Sequence, residues 1–170
     1  GIKTWGALAK AKYLKQLLKS IDSGEPREQY RSLAKMIGSR ADYVARTLSG
    51  LAVYDRIVDE DFVDIRGLDE ESIDFSVLTT ALNYQNIPKF IGMENSQDII
   101  LKDLNKEHLK ELTSWIFEKG SEGKTRLGES RNLSDLNSVV GVPEALDSFR
   151  KGMTLKNAVL LTEQPGVVYR

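Results

Sequence analysis

Between Thr4 and Ile21 the apolar residues Trp5, Leu8, Ala11, Leu14, Leu18 and Ile21 recur three or four positions apart with lysines between them, which predicts an amphipathic helix. The segment "DSGEP", with Gly24 and Pro26, ends that pattern. A second helix is predicted from Arg27 or Glu28 through Tyr30, Leu33, Ala34 and Ile37 to Gly38. A third follows over about Ala41 to Ser49, with Val44, Ala45 and Leu48 facing inward, and "LAVYDRIV" predicts a short fourth helix before an acidic stretch.

Past Asp69 the pattern is shorter-ranged. "DFSVLTTALNY" fits period two as a strand, or a helix capped by Asp74 with Phe75, Leu78 and Leu82 on one face; its helical surroundings favour the helix. "NIPKFIGM" predicts a single turn opened by Asn86 and Pro88 and closed by Gly92. "LNKEHLKELTSWIFEKG" predicts a helix with Asn105 as N-cap, Leu109, Leu112 and Ile116 on one face, and Gly120 beyond its end. Three short helices complete the chain: one around Leu133 to Val140, one from Pro143 to Lys151, and one capped by Thr154. Strand signals are few and no repeat occurs, so the fold class is all-α: a multi-helix domain containing a helix-turn-helix. A division into two helical lobes is expected, residues 1–66 and 67–170.

The stretch "LAKMIGSRADYVARTLSGL", Leu33 to Leu51, meets the requirements of a helix-turn-helix. Ala34 is small where two helices would cross, Gly38 suits a left-handed turn, and Val44 and Leu48 can anchor the second helix. Ser39 is placed to cap that helix with Asp42 as its reciprocal partner, which leaves Arg40, Tyr43, Arg46 and Thr47 on or beside the outward side. Arginine contacts guanine bidentately and threonine serves base or phosphate, so these four are the groove-facing candidates. Lys35, Arg27, Arg31 and the lysines of the first helix are the phosphate-contacting candidates. An αα-hairpin with a glycine turn also occurs as a purely structural corner, and a helical protein-protein interaction module is the alternative reading.

The same stretch resembles the central helix-turn-helix of ParB-type proteins, the DNA-binding factors of chromosome and plasmid partition and their relatives on phages and mobile elements. The likeness covers Glu28 to Ile57, with Leu33, Ala34, Ile37, Gly38, Val44 and Leu48 on the family's framework positions. It implies that Ser39, Arg40, Tyr43 and Arg46 lie in the recognition region. The chain has Ser39 and Arg40 where the family usually shows a lysine-serine pair, and it carries an acid, Asp42, that the family rarely has there. Full-length members have an upstream nucleotide-binding domain with an arginine-rich motif, and nothing like it occurs in this sequence. A start at Gly1 rather than Met, with helical pattern almost at once, suggests the helical portion of something longer.

Charge sharpens this picture. Residues 1–50 hold ten Lys/Arg against four acids, +6; residues 51–74 hold two arginines against nine acids, −7. A basic first third is what phosphate binding requires, although lysines alone more often solvate a helix face. The acidic run from Asp55 to Asp74 lacks the spacing of a calcium loop and reads as a solvated linker or a counter-surface to the basic lobe. With no cysteine, disulfides and thiolate sites are excluded and a reducing, cytoplasmic location is expected, to which the resemblance adds association with the nucleoid; no apolar run is long enough for a membrane span.

Other candidates for chemistry fall short. "GSEGKTRLG" ends like a phosphate loop in Gly123, Lys124 and Thr125, but Glu118 stands where the first glycine belongs and a helix precedes it instead of a strand. Lys124, Arg126 and Arg131 remain possible contacts to phosphate or an acidic partner. His108, the single histidine, sits beside Glu107 and Glu111 without a second nitrogen or sulfur ligand, so a structural role is expected. No catalytic constellation assembles, and neither enzyme activity nor a cofactor is expected. The expected partner is double-stranded DNA, read by a homodimer or together with an upstream domain of the same protein, since one module covers only a half-site. Trp115, Ile116 and Phe117 put apolar side chains on more than one side of their helix, which two packed lobes or a partner surface would explain.

Overall fold

The computed structural model describes residues 5–21 and 24–163, and every regular element among them is helical. Its α-helices are α1 (Ala7–Lys19), α2 (Pro26–Ile37), α3 (Ala41–Glu60), α4 (Phe75–Leu82), α5 (Asn86–Phe90), α6 (Lys106–Phe117), α7 (Leu133–Val140), α8 (Pro143–Arg150) and α9 (Leu155–Thr162). A 3₁₀ turn, Ser130–Asn132, leads into α7. Lys3, Asp22 and the predicted helix start at Thr4 lie outside the described residues. No described helix is long and apolar enough to cross a membrane.

Local chemistry sets most of the boundaries. Pro26 opens α2 at its first turn, where a missing N–H costs nothing. Gly38 ends it in the left-handed conformation, φ +68°, so that the Ser39 N–H reaches the Ala34 carbonyl at 2.8 Å. Asp74 caps α4 by accepting from the Ser76 and Val77 N–H groups, Asn105 caps α6 through the His108 N–H, and Thr154 caps α9 through the Asn157 N–H. The helix α6 stops at Phe117, short of Gly120, with Glu118 already extended.

The predicted break after Ser49 is absent: α3 runs unbroken for 20 residues, about 30 Å. Gly50 is a point of close approach rather than a terminator, since a Cβ there would stand 2.6 Å from the Thr79 methyl of α4. Beside it the Ser49 hydroxyl donates to the Asp98 carbonyl at 2.6 Å. This long helix ties together two apolar clusters. The smaller contains Leu14, Leu33, Ala34, Val44 and Leu48, from α1, α2 and the first half of α3. The larger takes Leu51, Val53, Tyr54 and Ile57 from the second half of α3 and continues through α4 to α9, drawing on both sides of position 66. Trp115, Ile116 and Phe117 are all buried in this larger cluster, which accounts for the apolar faces of α6. Asn137 on α7 pins the start of α5, its side-chain oxygen accepting from the Asn86 and Ile87 N–H groups at 2.9 and 3.1 Å.

Candidate nucleic-acid interface

The α2–α3 corner is held from within. Leu33, Ala34, Val44 and Leu48 are buried, and Ile37, Tyr30 and Ala41 pack against them. Burial raises the Tyr30 phenol above its ordinary range, which keeps it neutral beneath the hairpin. With one face of α2 engaged, Arg27, Arg31 and Lys35 stand exposed, four residues apart and therefore on one stripe of the helix. Ser39, Arg40 and Tyr43 are exposed at the turn and the start of α3, and Arg46 is half-exposed one turn further on.

Asp42 gathers the two arginines of α3. Its carboxylate oxygens lie 3.0 Å from Arg40 Nε and 3.4 Å from Arg46 Nη2. The Arg40 side chain is 84% exposed, so these pairs hold the guanidinium groups near the helix start without removing them from solvent. Exposed pairs of this kind contribute about 0.2–1 kcal/mol each and are screened by salt. Tyr43, 39% exposed, lies between the two arginines in sequence.

Two predicted roles are corrected. Ser39 does not cap α3: the cap residue is Arg40, in an extended conformation and without a side-chain cap bond. The Ser39 N–H closes α2 instead, and Asp42 turns toward the guanidinium groups rather than back to the cap. Thr47 is not on the outward side; it is 9% exposed. It lines a small cavity with Phe75 and Thr79 of α4, because α4 lies against α3 where Gly50 admits Thr79. Of the four groove-facing candidates, Thr47 is the one withdrawn from solvent.

The lysines of α1 differ in exposure. Lys12 and Lys19 are exposed and Lys10 is half-buried, whereas Lys15 pairs with Asp55 at 3.2 Å. The acidic run meets the basic first third at Asp55, whereas Glu60 pairs with Lys106 at 2.7 Å and Asp64 with Lys110 at 2.6 Å, both on α6. His108 is structural, its Nδ1 2.7 Å from the Phe90 carbonyl oxygen and its ring stacked on Phe90 at 4.3 Å. Among the described residues no group of three or more His, Cys, Asp or Glu is placed to hold a metal ion.

Two features were not visible in the sequence reading. Met36, 60% exposed, stands next to Lys35 beside the turn; its position off the Leu33–Ile37 stripe is the signal that marks it as outward-facing. Asp42 as a shared partner of both arginines is the other, and the four-residue spacing from Asp42 to Arg46 is the signal for half of it. No family model, no curated protein and no solved structure matches this chain.

Proposed function

We propose that the α2–α3 hairpin binds double-stranded DNA, with the first two turns of α3 entering the major groove in the manner of the ParB-type proteins it resembles. The observation that carries this reading is the separation of roles within the hairpin: Leu33, Ala34, Val44 and Leu48 take up the packing, while Arg27, Arg31, Lys35, Arg40, Tyr43 and Arg46 are left at least partly exposed around one turn. Arg40 and Arg46 are the base-edge contacts, Tyr43 supplies an apolar and hydroxyl-bearing surface between them, and the stripe on α2 binds phosphates flanking the groove. Ser39 lies at the mouth of the turn, where its hydroxyl can reach a phosphate. A homodimer, or an upstream domain of the same protein, brings a second half-site into play, and the setting is partition, regulation or a mobile-element or phage DNA transaction on the nucleoid.

The test is fluorescence anisotropy of the chain with a random duplex at about 50 and 200 mM salt, alongside the Arg40→Ala/Arg46→Ala double variant. Six phosphate contacts give a slope of about −5 in log affinity against log salt, close to a thousandfold loss over that interval. On a random duplex, which offers no cognate base edges, both arginines fall on phosphates, so the double variant is expected to bind more weakly and with a shallower slope. No binding by the wild type at the lower salt sinks the reading and leaves the hairpin as a structural corner in a protein-interaction module.

A further inference from the structure

The loop after α6 carries a second group of cations, remote in sequence from the hairpin. Arg66, Lys124 and Arg126 line a cavity of about 350 Å³ together with Trp115 and Glu118. Arg126 is clamped from behind. Its Nη2 donates to the Phe149 carbonyl at 2.5 Å and the Met153 carbonyl at 3.1 Å, and its guanidinium carbon sits 3.9 Å over the Phe149 ring. Those bonds occupy one nitrogen, while Nε and Nη1 have no hydrogen-bond acceptor and the guanidinium has no carboxylate partner among the described residues. Partial burial lowers the pKa of this side chain, but an arginine so placed stays charged at neutral pH. It is a solvent-exposed cation held in place by two carbonyls and a ring, without a counter-charge among the described residues.

Glu118 does not supply one. Its Oε1 accepts from the Ser114 hydroxyl at 2.6 Å, and its Oε2 from the Arg66 N–H at 3.1 Å, with the Arg66 Nε at 3.6 Å. The Arg66–Glu118 pair is neutral as a unit, so Lys124 and Arg126 leave the cavity with two uncompensated positive charges. Arg131, the third basic residue of this region, is paired with Glu129 at 2.5 Å and does not line the cavity.

We propose that this cavity binds a small phosphomonoester, with Arg126 and Lys124 holding the phosphate and Trp115 walling the organic part. With both Nη2 protons on carbonyls, Arg126 offers a phosphate oxygen a single charge-assisted N–H from Nε or Nη1, Lys124 supplies the second contact, and a dianion matches the surplus of two charges. The volume exceeds that of orthophosphate and reaches the lower end of the range for small-ligand pockets. The site is independent of the hairpin and of the DNA-binding reading.

The chain has two tryptophans, so a Trp5→Phe background leaves Trp115 as the single reporter. Titration of that protein with inorganic phosphate and with glycerol 3-phosphate, at constant ionic strength, is expected to give a saturable change in Trp115 fluorescence and a rise in melting temperature. Glycerol 3-phosphate should bind more tightly than phosphate. Lys124→Ala, at an exposed position, should weaken binding about tenfold, and Arg126→Ala by at least as much because it removes a charge-assisted donor. Glu118→Gln should tighten binding several-fold by removing a nearby negative charge, an effect that a merely structural Arg126 would not produce. No saturable response, or a response untouched by all three variants, overturns the proposal. It is also overturned if Lys124→Ala leaves a flat phosphate titration and instead weakens duplex binding, which would make the cavity part of a DNA surface. The Arg40→Ala/Arg46→Ala variant should titrate with phosphate as the wild type does, so this inference and the DNA reading fail separately.

Discussion

Replacing Asp42 with alanine is expected to lower stability and raise affinity for a random duplex. The carboxylate lies in the first turn of α3, where a negative charge contributes about 0.3–1 kcal/mol against the helix dipole, and it makes two exposed ion pairs of up to about 1 kcal/mol each. These terms share one group and do not add, so the variant should lose about 1 kcal/mol in urea denaturation. On DNA the sign reverses. Asp42→Ala removes a charge that repels phosphate and releases Arg40 and Arg46 from their internal partner. Each guanidinium that gains a phosphate steepens the salt slope by about 0.9, and affinity for random sequence at low salt should rise about three- to tenfold. Anisotropy across a salt series reads both quantities, and sequence selection from a random pool should show weaker enrichment because the freed arginines are less constrained. If the variant binds random duplex more weakly than wild type, the carboxylate does not compete with DNA for these arginines and the argument is refuted.

Two further outcomes are expected. Gly92→Ala should cost about 3 kcal/mol or more in urea denaturation: φ is +90°, and the new Cβ would run into the Asp103 carbonyl oxygen and stand 2.9 Å from the Asn105 nitrogen, whose N–H bonds the Ile91 carbonyl. A loss below about 1 kcal/mol would show that the α5–α6 link yields easily. For Glu118, the Ser114 hydroxyl and then the Arg66 N–H hold the carboxyl below the usual carboxylate range. A depressed pKa stabilises the fold above the unfolded value of about 4.3 and ceases to do so as pH falls through the folded value. Glu118→Gln should therefore be less stable than wild type by about 1 kcal/mol at pH 7, with the gap narrowing as pH falls below about 4; a gap that does not narrow in acid contradicts the assignment.

The features that were legible in advance depend on neighbours close in the chain. The caps Asp74, Asn105 and Thr154 bond to N–H groups two or three residues ahead, and Gly38 turns the chain where a glycine after an apolar stripe says it should. The features that were misread depend on a distant partner. Gly50 looks like a helix stop until Thr79 is known to fill the space beside it, and Thr47 looks like a groove contact until α4 covers it. Ser39 satisfies the pattern of a cap, but its N–H closes the preceding helix and the cap position passes to Arg40.

Sequence by itself determined an all-helical chain, the location of the α2–α3 turn and the basic stripe of Arg27, Arg31 and Lys35, because period and capping are properties of short segments. Tertiary structure alone decided that α3 is one 20-residue helix spanning two apolar clusters, that Thr47 is covered by α4, and that Arg126 lines a cavity without a counter-charge. Each of those outcomes turns on which remote side chain arrives at a given surface. Burial and pairing energies act through space, and a local pattern carries no record of what will be packed against it.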